Sequence, residues 1–211
     1  MSSKYLDEKI DINPKYWLSE YRQLSLWYLL KMGLFYSALG IVIAYSIWGI
    51  QYVVFDYEEP VVPISFVQMI MAGPVEETIF FGIPFSLSGN PYVILATGSI
   101  WASVHIFNAQ FAEEGGFSYS TVGFAIPHIF FSLRAWKSGK GLFTILFHSA
   151  WNGMIFGISV LVGELPLMMI DESFPEIDIV MIIISVILMG VTYPLYRWRL
   201  KREVKKKFEK N

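Results

Sequence analysis

The sequence predicts an all-α fold, a polytopic membrane bundle of about six transmembrane helices, and three observations lead there. Of the 211 residues, 55% are apolar and 17% aromatic while 16% are charged, and the mean hydropathy is +0.48, above the range usual for soluble globular domains. Six apolar stretches recur, each near the ~20 residues needed to cross ~30 Å of hydrocarbon at about 1.5 Å per residue. The charges almost cancel, with a formal total of −2, yet they are sorted along the chain in the way an even number of spans would sort them.

The first 23 residues, which include MSSKYLDEKIDINPKYWLSE, mix charge with turn formers and lack the basic-then-apolar pattern of a signal peptide. They read as a cytoplasmic N-terminal segment. A transmembrane domain over residues 24–200 follows, with spans at roughly Leu29 to Ile50, Val62 to Ser86, Pro91 to Ala109, Tyr119 to Trp136, Leu142 to Val162 and Ile179 to Trp198. The third and fourth are the weakest, being short or interrupted by His and Pro. Residues 201–211 form a basic cytoplasmic tail.

Alternating spans put the N-terminus, SLSGNP, RAWKSGKG and RWRLKREVKKKFEKN on one face, and every Lys and Arg lies in or beside that set. The other face receives QYVVFDYEEP, QFAEEGGFS and GELPLMMIDESFPEID, whose charges are all acidic. By the positive-inside rule both termini are cytoplasmic and the protein is integral to the cell membrane. The tail has anionic lipid as its adjacent polyanion, so the bilayer, not nucleic acid, is its expected partner. With no cysteine in the chain, disulfides, thiol nucleophiles and thiolate metal sites are excluded.

Charge at the centre of a lone membrane helix costs roughly 2.5 to 3.5 kcal/mol on insertion scales, so ionisable groups there mark function. The sequence GPVEETIFFGIP sets Glu76 and Glu77 inside the second span. His105, His128 and His148, the only histidines, fall in the third, fourth and fifth. His148 and Asn152 in FHSAWNG are four apart and share a helix face. In WASVHIFN, Trp101 lies one turn before His105, with Asn108 close to the same face. Glu76 and Glu77 are successive and point about 100° apart, so one can face a reaction site while a neighbouring helix holds the other. Counted from the outer face, Glu76 lies about 21 Å deep, and His148 about 9 Å from the inner face, which agree; counted from Pro91, His105 comes out a helical turn or two too high. His128 follows Pro127, and its simplest role is to bond a backbone carbonyl that the proline frees. Glu113 and Glu114 read as solvated loop charges.

The adjacent Glu pair, the aromatic four residues before a His in WASVH and the His-x-x-x-Asn of HSAWN resemble the three motifs of the CAAX-protease and bacteriocin-processing family. This family is also called the Abi family and includes the Ras-converting CAAX endopeptidase. The resemblance covers a protease-like core at 62–157 and rests on the order of the motifs and their spread over three membrane helices. It implies an intramembrane endopeptidase cutting near the cytoplasmic face, with Glu76 as the base that deprotonates a water, His105 holding that water, and His148 and Asn152 donating to the oxyanion. Glu77 would be a supporting carboxyl. Helix breakers Gly73 and Pro74 before the pair, and Gly82 and Pro84 after it, fit an opened backbone beside it. The substrate implied is a peptide or protein, prenylated CAAX proteins being one class, and no cofactor is implied. The family pattern Glu-Glu-x-x-x-Arg is broken by Phe81 at the Arg position.

Two other classes remain open at this point. A zinc-dependent intramembrane metallopeptidase would take Glu and His ligands from several helices, although no His-Glu-x-x-His is present. A non-catalytic family member, with a partner-binding or bacteriocin-immunity role, would use the same groups for binding or packing.

Overall fold

The computed structural model describes residues 24–57, 63–107, 118–162, 169–170 and 175–209. They form six helical rods, so the bundle is all-α and polytopic as expected. Helix α1, Leu26–Phe55, starts at Ser25, whose hydroxyl accepts from the Tyr28 N–H, and ends at Asp56 in the left-handed region (φ 50°). Helix α2 is one rod, Phe66–Ser88, whose middle, Glu77–Gly82, is a π turn. Ser65 caps its start by accepting from the Gln68 N–H. Gly89 ends it at φ +66° with the Arg199 guanidinium against it, a position where a Cβ would be strained and would also meet that side chain.

Helix α3, Pro91–Ile106, begins with proline at its first position and Asn90 as its cap, the arrangement that suits an orphan N-terminal N–H. Helix α4 is Thr121–Lys137, α5 is Gly141–Val162 and α6 is Pro175–Glu209. Two short strands, β1 at Pro63–Ile64 and β2 at Met169–Ile170, pair in parallel.

Four rods are long and apolar enough to cross a membrane: Leu26–Phe55, Phe66–Ser88, Gly141–Ile158 and Glu176–Glu203. The protein is therefore an integral membrane protein. The third and fourth expected spans are the short ones, with 16 residues in α3 and 17 in α4. Their brevity has a physical reason in α4. It packs against α1, α3, α5 and the π turn, and Ala125, Leu133, Ala135 and Trp136 on it have no exposure. A helix enclosed by protein is not required to match the hydrocarbon thickness. The large apolar side chains left exposed on α1, α5 and α6, such as Val53, Leu146 and Val186, suit a lipid-facing surface. Asn108, Glu113, Glu114 and the N-terminal segment lie outside the described residues.

Close backbone approach holds the centre together. A Cβ added at Gly73 on α2 would lie 2.3 Å from the Ser149 Oγ and 2.8 Å from the Ile145 carbonyl oxygen on α5. At Gly123 on α4 it would lie 2.3 Å from the Ala44 nitrogen of α1. Small residues allow helices to meet at this range, where dispersion and polar contacts replace the hydrophobic effect as the packing force.

Candidate active site

The site begins with two prolines. Pro74 has no N–H, so in α-helical register the Ile70 carbonyl loses its partner, and the Ser149 hydroxyl of α5 donates to it at 2.7 Å. Pro84 does the same to the Phe80 carbonyl, and the Thr97 hydroxyl of α3 donates to that oxygen. Asn152 on α5 adds a bond from Nδ2 to the Met69 carbonyl at 3.1 Å. Each break in the α2 ladder is thus mended by a different neighbouring helix. Between the two prolines lies the π turn that begins at Glu77, directly after Glu76, and single π turns are frequent at functional positions.

The glutamates diverge as their succession requires. Glu77 has no exposure and is enclosed by donors. His128 Nε2 meets its Oε1 at 2.5 Å, Ser132 Oγ at 3.0 Å, while Trp136 Nε1 donates to Oε2 at 3.2 Å and Thr144 Oγ1 at 2.8 Å. Such saturation is what a buried carboxyl needs, because an unpaired one would carry the full desolvation cost. Glu76 is 20% exposed and faces the other way. Trp101 Nε1 donates to its Oε2 at 2.7 Å. His105 Nε2 lies 3.4 Å from Oε1, and His148 Nε2 lies 3.9 Å from Oε2.

His148 stands between the two carboxyls, with Nδ1 3.5 Å from Glu77 Oε1 but without the alignment of a hydrogen bond. The histidines converge with Trp101 into one cluster of packed rings, the Trp101 ring centroid being 4.8 Å from His105, edge-on, and 5.1 Å from His128, tilted. His128 and His148 are 4.7 Å apart.

Glu76, Glu77, His105 and His148 are therefore brought together, and Asn152 sits on the His148 helix with its amide on α2. The mismatch for His105 arose because Glu76 was counted from the outer face while His105 was counted from Pro91. Measured from the shared α2–α3 turn, Glu76 is twelve residues before Ser88 and His105 fourteen after Pro91, about 18 Å and about 21 Å at 1.5 Å per residue. The two levels match.

His128 is a correction. It bonds Glu77 rather than a carbonyl freed by Pro127. The sequence held a signal for this: His128, Ser132 and Trp136 recur every four residues on α4, and each is bonded to Glu77. Thr144, His148 and Asn152 make the corresponding stripe on α5. Phe81, at the position where the motif places Arg, has no exposure and packs edge-on against Trp101 and His128, each 5.8 Å away. The donors that an arginine would have supplied to Glu77 come instead from α4 and α5.

Residues 58–154 match a family described as Rce1-like, type II CAAX prenyl endopeptidase Rce1-like. The matched segment, a little under half of the chain, is similar to that family's domain. It contains α2, α3, α4 and the first part of α5, and so every group just described. No curated protein and no solved structure matches the chain. The match makes this segment similar to a CAAX-type prenyl endopeptidase, and the four long apolar helices give the membrane as its setting.

Proposed function

We propose that the chain is an endopeptidase that hydrolyses a peptide bond near the cytoplasmic membrane face, using a water activated by Glu76. The observation that carries this reading is the position of Glu76 as the accessible member of the pair, faced by two imidazole nitrogens at 3.4 and 3.9 Å. His105 Nδ1 lies 2.8 Å from the Trp101 carbonyl. A carbonyl only accepts, so Nδ1 is the donor and Nε2 of the uncharged ring turns a lone pair toward Glu76. A water held there donates one hydrogen to the carboxylate and the other to His105. Its own lone pair is then free to attack.

In the addition step Glu76 takes the proton, the water oxygen bonds to the substrate carbonyl carbon, and the carbonyl π pair moves to oxygen. His148 Nε2–H and the second amide proton of Asn152 are the oxyanion donors of this reading, and such donors contribute about 2.7 to 4 kcal/mol each in a dry site. The proton on Glu76 then passes to the departing amine as the C–N bond breaks. Glu77 holds the helices around the reacting groups. Prenylated CAAX C-termini are the substrate class that the family description names, and both termini of the chain are assigned to the cytoplasmic side of the cell membrane by its charge pattern.

The test is turnover of a fluorogenic CAAX-type peptide, with and without a prenyl group, by detergent-purified protein. Loss in both Glu76→Gln and His148→Ala is expected. Turnover that persists in Glu76→Gln contradicts the reading.

A second reading has one observation in its favour. Glu77, His128 and His148 offer ligand atoms within 4.8 Å of one another, and two imidazoles with a carboxylate are a zinc donor set. The 2.5 Å contact between His128 and Glu77 is shorter than the edge of about 3.4 Å that ligands ~2.1 Å from a tetrahedral zinc would span. The geometry thus favours a direct hydrogen bond. Metal analysis of the purified protein and turnover after chelation separate the two readings: the first expects no dependence on chelator.

A further inference from the structure

We propose that His128 is a positioning residue of this site, acting through Glu77 on His148; the inference rests on the peptidase reading and adds a residue to it. Four contacts carry it. His128 Nε2 lies 2.5 Å from Glu77 Oε1, and that same oxygen lies 3.5 Å from His148 Nδ1. The opposite oxygen of Glu77 is fixed by Trp136 and Thr144. The carboxyl plane is thereby set from both ends, and its Oε1 is the polar atom beside a His148 Nδ1 that has no hydrogen-bond partner.

The orientation of an imidazole is set by what its other nitrogen meets. Glu77 Oε1, aimed by His128, is what the far nitrogen of His148 meets. With Nδ1 turned to Glu77, Nε2 is turned to the Glu76 side, where the attack takes place. The His128 ring also stands edge-on to that of His148 with centroids 4.7 Å apart, which limits rotation of His148 about its χ2. Without the His128 donor, Glu77 Oε1 retains Ser132, whose single hydroxyl proton is divided between both oxygens at 3.0 and 3.2 Å. The carboxyl then turns toward Trp136 and Thr144, and His148 loses its stop.

Two substitutions separate this role from packing. His128→Phe keeps a ring of similar size against Phe81, Trp101 and Phe131 but has no donor. His128→Gln loses the ring and keeps an N–H that reaches Glu77. The expected result is a fall in kcat on the order of 10- to 100-fold in His128→Phe, with KM little changed, and recovery of most of it in His128→Gln. A packing role gives the opposite order, and that order would overturn the proposal.

A readout without substrate keeps this apart from the peptidase reading. The chain has three histidines, so ring nitrogen spectra of 15N-histidine-labelled protein in detergent contain three ring systems, each assigned by single substitution. The His148 ring nitrogens are expected to shift and broaden in His128→Phe and to return toward wild type in His128→Gln. His148 signals that superimpose on wild type in His128→Phe would refute the coupling, whatever the protein cleaves. Coupling seen in a protein whose turnover ignores Glu76→Gln would uphold it and refute the glutamate mechanism.

Discussion

Adding one methyl group at Gly73 puts the whole arrangement under load. The Cβ of Gly73→Ala would lie 2.3 Å from the Ser149 Oγ and 2.8 Å from both the Ser149 nitrogen and the Ile145 oxygen, where ordinary contact begins at 3.4 Å. The hydroxyl can rotate away, at the cost of its bond to the Ile70 carbonyl. The two backbone atoms cannot. Relief requires α2 and α5 to part by 3.4 − 2.8 = 0.6 Å at this level, and overpacking of this kind costs about 1 to 3 kcal/mol. Loss of the serine bond leaves a carbonyl unpaired inside the bundle and adds about 1 kcal/mol or more. The same parting separates Glu76 on α2 from His148 on α5, and a misplacement near 1 Å lowers a rate by as much as ~100-fold. The assay is a melting curve in detergent together with peptidase turnover. Gly157→Ala serves as control, since nothing lies within 4 Å of a Cβ there. A Gly73→Ala protein with wild-type melting and wild-type rate would refute the claim that this contact sets the distance between the two sides of the site.

Ser149→Ala should lower the melting temperature by orphaning the Ile70 carbonyl, a loss of about 1 to 3 kcal/mol. In a Pro74→Ala background, where residue 74 regains an N–H for that carbonyl, the loss should shrink; equal losses in both backgrounds would contradict the assigned partnership. The chain has no cysteine, so single cysteines report topology directly. Lys9→Cys and Lys210→Cys should react with a membrane-impermeant maleimide only after intact cells are opened, and Glu164→Cys before; the reverse pattern would overturn the proposed orientation. Chelator treatment should leave turnover and melting temperature unchanged, and a loss restored by zinc would favour the metal reading at Glu77, His128 and His148.

Much of this site was legible because membrane helices make polar residues conspicuous. Glu76, Glu77, His105 and His148 stand out from apolar surroundings, and the four-residue spacing of His148 and Asn152 gives their common face without any tertiary information. The divergence of the two glutamate side chains also followed from the 100° between successive residues. Three things did not follow. Proline at 127 offered His128 a local explanation, and local explanations hide long-range ones; the stripe formed with Ser132 and Trp136 was the better clue. The length of α4 depended on how far protein, not lipid, surrounds it, which hydropathy does not report. The level of Glu76 relative to His105 depended on the turn at Gly89 and Asn90, a shared origin for two helices that counting Glu76 from the outer face ignores. Phe81 is the clearest case of compensation, since the donors expected from its position arrive from two other helices.

The central claim is that Glu76 is the general base. It is tested most directly by kcat for Glu76→Gln against wild type on a cleaved peptide, in chelator-treated protein whose melting temperature shows both to be folded. The account predicts a fall of about 10²- to 10⁴-fold, the usual contribution of a positioned base, with the fold intact because Glu77, not Glu76, carries the buried hydrogen-bond network. A folded Glu76→Gln protein that turns over at the wild-type rate would contradict it.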